Sequence, residues 1–303
     1  MITVTGLTKH YGDRTAVDDL TFTVAAGRVT GFVGPNGAGK STTMRMMVGL
    51  THPDQGEVRY EGVRYTDLRH PARLVGSVLD ARCMHSGHTA RNHLRAMAAM
   101  SSIPASRVDE VLIDVGLESA ADQRTGGFSL GMRQRLALAG ALLGDPQVLL
   151  LDEPSNGLDP DGIRWLRLHL TDFARRGGSV FVSSHLISEL SMFADDLVVV
   201  GGGKLLAAET VEAITARQAA TVVAETPRPA DLARVLAGPH VTVETTGDRL
   251  VVRGTTKATV SQLAFENGIR LVELSEVAPS LEETLLDMTG ASAEFASAEF
   301  ASA

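Results

Sequence analysis

Residues 1–8 and 15–24 alternate apolar and polar side chains, the period-two pattern of strands buried on one face, and the YGDR segment between them supplies a turn. Four later runs are apolar almost throughout: 73–79 (RLVGSVL), 147–151 (QVLLL), 179–183 (SVFVS) and 196–200 (DLVVV). Together with RVTGFV at 28–33 they suit strands covered on both faces of a parallel sheet. Helical periodicity occupies 89–100, 105–116, 130–143, 160–176 and 186–193. After the first apolar run, Met44, Met47 and Val48 recur at helical spacing, the mark of a core-packing stripe rather than of a ligand set. Strands alternating with helices predict an α/β fold, with ligands at the carboxyl ends of the strands.

Near residue 217 the texture changes. A strand at 220–225, a helix at 230–237, a hairpin at 240–253 turning at Thr246-Gly247-Asp248, a helix at 258–267 and a strand at 270–277 give the order βαββαβ. A helix at 280–289 follows. This is the split βαβ, ferredoxin-like arrangement of a small α+β domain. Residues 291–303 repeat ASAEF and end ASA, a low-complexity tail expected to be disordered. The chain therefore divides at 1–217, 218–290 and 291–303.

Hydrophobic residues make up 44% of the 303, a globular proportion, yet every long apolar stretch is too short or too interrupted to span a bilayer. The start, MITVTGLTKHYGD, lacks the apolar core of a secretory signal, so a cytosolic location is expected. Cys83 is the only cysteine, which excludes an internal disulfide. Of the net charge of −8, residues 218–303 carry −6, with twelve acids against six bases. Neither part offers a basic face, and no nucleic-acid partner is expected.

The densest chemistry lies at Gly34–Ser41, GPNGAGKS, directly after an apolar strand and before a helix. This spacing is that of a phosphate-binding loop: glycines let the backbone curl until its N–H groups converge on a phosphate, and the helix it opens adds its positive dipole end. Lys40 is placed for the β- and γ-phosphate oxygens and the Ser41 hydroxyl for Mg²⁺. Asp152 and Glu153 end the apolar run VLLLDEP at the same sheet edge, where one carboxylate can hold Mg²⁺ and the other can polarise an attacking water. Asp159 precedes Pro160 as a helix N-cap would. His185 follows the strand SVFVSS, within reach of a γ-phosphate, and Ser129 reads as the N-cap of a helix whose apolar face holds Leu136, Ala139, Gly140 and Leu143. His85, His88 and His93 have no standard zinc spacing and read as exposed polar residues, while Arg133 and Arg135 read as solvated or salt-bridged rather than catalytic.

The phosphate loop, a loop containing Asp80, then FSLGMRQR, LLLDEP, SNGLD and SSH, in that order, closely resemble the ATP-binding subunit of ATP-binding cassette (ABC) transporters over residues 1–215. The resemblance implies a P-loop core sheet, an antiparallel β subdomain and a helical subdomain at about 82–144. It implies that Tyr11 stacks on adenine with Val17 beside it, and that Gly34, Asn36, Gly37, Ala38, Gly39, Lys40, Ser41 and Thr42 hold ATP. It further implies Asp152 as the Walker B aspartate, Glu153 as catalytic glutamate, His185 as switch histidine and Asp159 as the D-loop aspartate. Ser129 and Gly131 would act on the ATP of a partner subunit across a head-to-tail homodimer. ATP and Mg²⁺ are the implied cofactors, and a separate transmembrane permease on the inner face of the cell membrane is the implied partner. Leu130 and Met132 depart from the LSGGQ signature in a way similar to bacterial drug and antibiotic-peptide exporters, as is the ending SLEETLLDMTG. Asp80 stands where the family carries glutamine and is an additional candidate metal ligand. Two alternatives share the loop: a soluble ABC ATPase working on nucleic acid or ribosomes, and a phosphoryl-transfer kinase, which leaves FSLGM and His185 without a role.

Overall fold

Alternating side chains at the start of the chain form a long hairpin in the computed structural model, β1 (Ile2–Tyr11) and β2 (Arg14–Val24), paired antiparallel. Residues 82, 83, 185, 186, 217–220, 240, 278–280, 283, 286, 287 and 289–303 lie outside the described residues, which are all the others. The wholly buried run β3 (Val29–Val33) then leads into α1 (Lys40–Met47). The strands β4 (Gln55–Tyr60) and β5 (Val63–Arg64) complete a four-stranded antiparallel sheet in the order β2-β1-β4-β5.

The second sheet is assembled from β6 (Val75–Val78), β7 (Val148–Leu151), β8 (Ser179–Ser184), β9 (Asp196–Gly201) and β10 (Lys204–Thr210), with β3 among them in the order β10-β9-β3-β8-β7-β6. All neighbours pair in parallel except β10 with β9. Every residue of β7 and β8 is buried, which is why their sequences show no alternation. Between β6 and β7 stand α2 (Ala90–Met100), α3 (Ser106–Asp114) and α4 (Leu130–Leu142). The helices α5 (Pro160–Arg175) and α6 (Ile187–Leu190) flank β8, and α7 (Val211–Thr215) follows β10.

Phe22 of the first sheet and Phe32 and Phe181 of the second share one core, with Phe181 ring centroids 5.6 Å from Phe22 and 4.9 Å from Phe32. Burial of such a side chain contributes about 1.5–3 kcal/mol, so these rings fix the hairpin against the strand that carries the phosphate loop. Met44 and Met47 of α1 join the same core, as their spacing predicts.

Contacts divide the chain into two compact units, one over Met1–Val211 and the other over Glu212–Asp287. The second holds β11 (Thr221–Glu225), α8 (Pro229–Leu236), β12 (Thr242–Thr246), β13 (Arg249–Arg253), α9 (Lys257–Glu266) and β14 (Glu273–Val277). Its sheet runs β12-β13-β11-β14, antiparallel throughout, around a core of Val222, Ala224, Leu232, Leu250, Val252 and Val260. That is the ferredoxin-like strand order expected of a βαββαβ chain. The helix expected at 280–289 falls partly, and the tail at 291–303 wholly, outside the described residues.

The first unit holds three strands that the periodicity does not predict: β4, β5 and β10. In β4 (QGEVRY) only Val58 and Tyr60 are buried, and β10 lies at the sheet edge with its two ends exposed, so neither carries a long apolar signal. The helix expected at 186–193 is described only over Ile187–Leu190.

Candidate functional site

Between β3 and α1 the chain curls through residues 34–39. Gly39 has φ +95°, and a Cβ there would stand 2.4 Å from the Ala16 carbonyl oxygen, so the loop is pressed directly against β2. Lys40 opens α1 and is buried; its Nζ donates to the carbonyl oxygens of Gly34 at 2.6 Å and Pro35 at 3.3 Å. Burial lowers the Lys40 pKa, and the negative charges of Glu153 and Asp152 pull it back up. The cation thus lies within electrostatic reach of both carboxylates.

An open cavity of about 670 Å³ is lined by Tyr11, Arg14 and Ala16 on the hairpin, by Asn36, Gly37 and Gly39–Thr42, and by Glu153 and Asn156. Its size falls within the range of small-molecule sites. The lining combines an aromatic ring, the curled loop with its lysine and a carboxylate, groups that suit a base, a phosphate chain and an attacking water. Val17 is fully buried beneath the loop, and its neighbour Ala16 lines the cavity in its place. Arg14 and Asn156 line it as well, and neither is singled out by the motifs.

Asp152 and Glu153 follow β7. The Asp152 N–H donates to Val78 O on β6 at 2.8 Å, extending the ladder by one residue. A buried hydroxyl on β8 holds both acids: Ser183 Oγ donates to Asp152 Oδ1 at 2.6 Å and accepts the Glu153 N–H at 2.9 Å. Glu153 is left-handed, φ +50°, a conformation that costs a non-glycine residue about 1–3 kcal/mol. Its carbonyl accepts the Asn156 N–H at 3.2 Å, so the bonds at both ends of the residue maintain the turn.

Ser129 and Asp159 are the N-caps that their sequences predict. Ser129 Oγ accepts the Met132 N–H at 3.2 Å at the start of α4, and Asp159 Oδ1 accepts the Gly162 N–H at 2.7 Å at the start of α5. Neither Ser129 nor Gly131 is among the residues lining the cavity described above. The α4 end packs instead on the segment after Glu153. Gln134 Nε2 donates to Pro154 O at 2.8 Å, and Leu130 lies over Gly157. Arg135, which the sequence marks as solvated or salt-bridged, lies instead 4.2 Å from the Trp165 ring centroid and donates to Val115 O at 3.1 Å. Asp80 is exposed two residues beyond β6 and is not among the cavity-lining residues. His185 lies outside the described residues. The His85 and His88 rings are 4.4 Å apart, and no group of three or more potential metal-ligating His, Cys, Asp or Glu side chains occurs among the described residues. No helix among the described residues is long and apolar enough to cross a membrane.

A family model described as ABC transporter matches residues 17–156, and one described as Domain of unknown function (DUF8746) matches residues 220–282. The chain is 38% identical over 291 residues to the uncharacterized ABC transporter ATP-binding protein YhcH of Bacillus subtilis (strain 168), covering 95% of each chain. It is 41% identical over 209 residues to the bacitracin transport ATP-binding protein BcrA of Bacillus licheniformis, covering 68% of each. Among solved structures, an ATP binding subunit of an ABC transporter superposes with TM-score 0.65 at 27% identity, over 72% of this chain and 92% of that one.

Proposed function

The chain belongs to the ABC transporter family as an ATP-binding subunit, and we propose that the energy of its ATPase reaction drives export of antibiotic-like compounds through a separate membrane protein. The observation that carries the reading is that Tyr11, Lys40 and Glu153 line one cavity. Adenine stacks on Tyr11, a contact that contributes about 0.5–1.5 kcal/mol. The amides from Gly37 to Thr42 and the Lys40 ammonium hold the phosphates, the lysine exchanging its present carbonyl acceptors for phosphate oxygens.

Glu153 takes a proton from water as the water oxygen attacks the γ-phosphorus; the bond to the β–γ bridging oxygen breaks, and ADP and inorganic phosphate result. Its left-handed backbone and the bond to Ser183 aim the carboxylate while Asp152, gripped by the same serine, stays beside it. The oxygen donors of Ser41 and Asp152 suit a hard cation, so these two residues would hold Mg²⁺; Asp80 is a further candidate, outside the cavity lining. When bound, the ion neutralises charge on the β- and γ-phosphates. His185 contacts the γ-phosphate, and Asp159 belongs to the loop that faces the partner subunit.

Ser129 and Gly131 act in trans, capping the ATP of a second copy with the end of α4, so the functional unit is a homodimer with two shared sites. The permease places it at the inner face of the membrane, in the cytoplasm. Bacitracin transport by one relative motivates the cargo class of this chain. The test is ATPase activity of the purified protein with and without its co-encoded polytopic membrane protein. Membrane fractionation and stimulated turnover only in the presence of that protein support the proposal. Turnover stimulated by nucleic acid or ribosomes instead would favour a soluble ABC ATPase.

A further inference from the structure

Tyr11 and Arg14 are directly opposed at the closing turn of the β1–β2 hairpin, so their side chains leave the same face of that sheet. Both line the nucleotide cavity. Arg14 Nη2 reaches toward the Gly37 carbonyl at the tip of the phosphate loop, 3.4 Å away, and Arg14 has no carboxylate partner among the described residues. The other cation near Tyr11 is differently employed. Lys9 Nζ lies 5.6 Å from the ring centroid but is bound to Asp54 at 2.8 Å. Lys40 is bonded to carbonyls at the start of the loop and Arg14 approaches a carbonyl at its tip, so an anionic chain laid along the loop meets a cation at two points.

We propose that Arg14 is a phosphate-binding residue, its guanidinium contacting the triphosphate of the nucleotide from the hairpin side. This rests on the ATPase reading and adds to it a contact outside the loop motif. The guanidinium fork matches phosphate oxygens in geometry as well as in charge, and exchanging a neutral carbonyl for a charged acceptor strengthens the hydrogen bond. The hairpin then senses both ends of the nucleotide: Tyr11 reads the base and Arg14 the phosphates.

The test compares binding of MgATP, ADP and adenosine to the full-length protein, to Arg14→Ala and to Arg14→Lys by titration calorimetry, with thermal melts to verify folding. Loss of one charge-assisted contact at an exposed residue predicts about tenfold weaker MgATP binding for Arg14→Ala. Adenosine binding should be unchanged, and Arg14→Lys should recover part of the loss. ATP affinity should also depend less steeply on salt in Arg14→Ala than in the unmodified protein. Unchanged MgATP affinity in Arg14→Ala overturns the proposal, as does an equal loss for ATP and adenosine, which would make Arg14 a support for Tyr11. If the unmodified protein binds no ATP, the ATPase reading fails and this inference fails with it.

Discussion

The side chain of Leu130 occupies the space that any side chain on Gly157 would need: a Cβ there would stand 1.9 Å from Leu130 Cδ2. Leu130 sits where the family signature has glycine, at the first position of α4, and Gly157 lies in the segment that links Glu153 to α5. The larger residue at one position is thus matched by a missing side chain at the other. Gly157→Ala should lower both ATPase activity and melting temperature, the latter by about 2–6 °C, because it meets Leu130 and also places alanine at φ +75°. Adding Leu130→Ala should relieve the contact but not the backbone cost. A double-mutant cycle measures the difference, and strict additivity would show that the two residues are not coupled.

Glu153→Gln should keep ATP binding and slow hydrolysis by about 10²–10⁴-fold, the usual contribution of a positioned general base. An ATP-bound dimer should accumulate, visible by size-exclusion chromatography with multi-angle scattering. Turnover near that of the unmodified protein would remove Glu153 from this role.

Action of Ser129 in trans is tested with mixed dimers of Ser129→Arg and Lys40→Ala subunits. Each single-variant homodimer lacks any intact site, whereas the mixed dimer keeps one. ATP-dependent dimerisation should recover in the mixture alone, and no recovery would contradict the proposed sharing of sites.

Asp54 ties β1 to the start of β4: it accepts from Lys9 Nζ at 2.8 Å and from the His10 N–H at 2.6 Å. The Lys9 hydrogen bond is the larger cause of its low pKa, about 2 against an ordinary 3.8. A depressed carboxylate pKa means stability that is full above the unfolded value and is lost as pH falls through the folded one. Asp54→Asn should therefore lower the melting temperature at neutral pH, and the gap from the unmodified protein should narrow between pH 4 and pH 2. A gap independent of pH over that interval would assign the effect to packing.

The phosphate loop and the acid pair were legible because consecutive residues fix their own geometry: the strand, the curl and the helix start all lie within a dozen positions. The βαββαβ order of the second unit was legible from periodicity alone. Ser183 was not, since a serine inside SVFVSS looks like one more buried strand residue, and its bonds to Asp152 and Glu153 span 31 and 30 residues of sequence. Ala16 and Val17 show a different limit. Adjacent residues of a strand face opposite sides, so which of Ala16 and Val17 lines the cavity turns on a single residue, in a hairpin whose register shifts between Leu7 and Lys9 and again between Lys9 and His10. Arg14 carried no motif at all, and only the fold brings it to Gly37.

Gly39 lies so close to the Ala16 carbonyl that the loop at 34–39 and β2 share a steric boundary. With no room for even a methyl group between them, neither can move toward the other without displacing it. The Asp18 N–H, two residues beyond Ala16, donates to Gly203 O at 2.9 Å, between β9 and β10. On the proposed reading, nucleotide occupancy should therefore be felt as amide-exchange protection at Asp18, a residue that does not line the cavity.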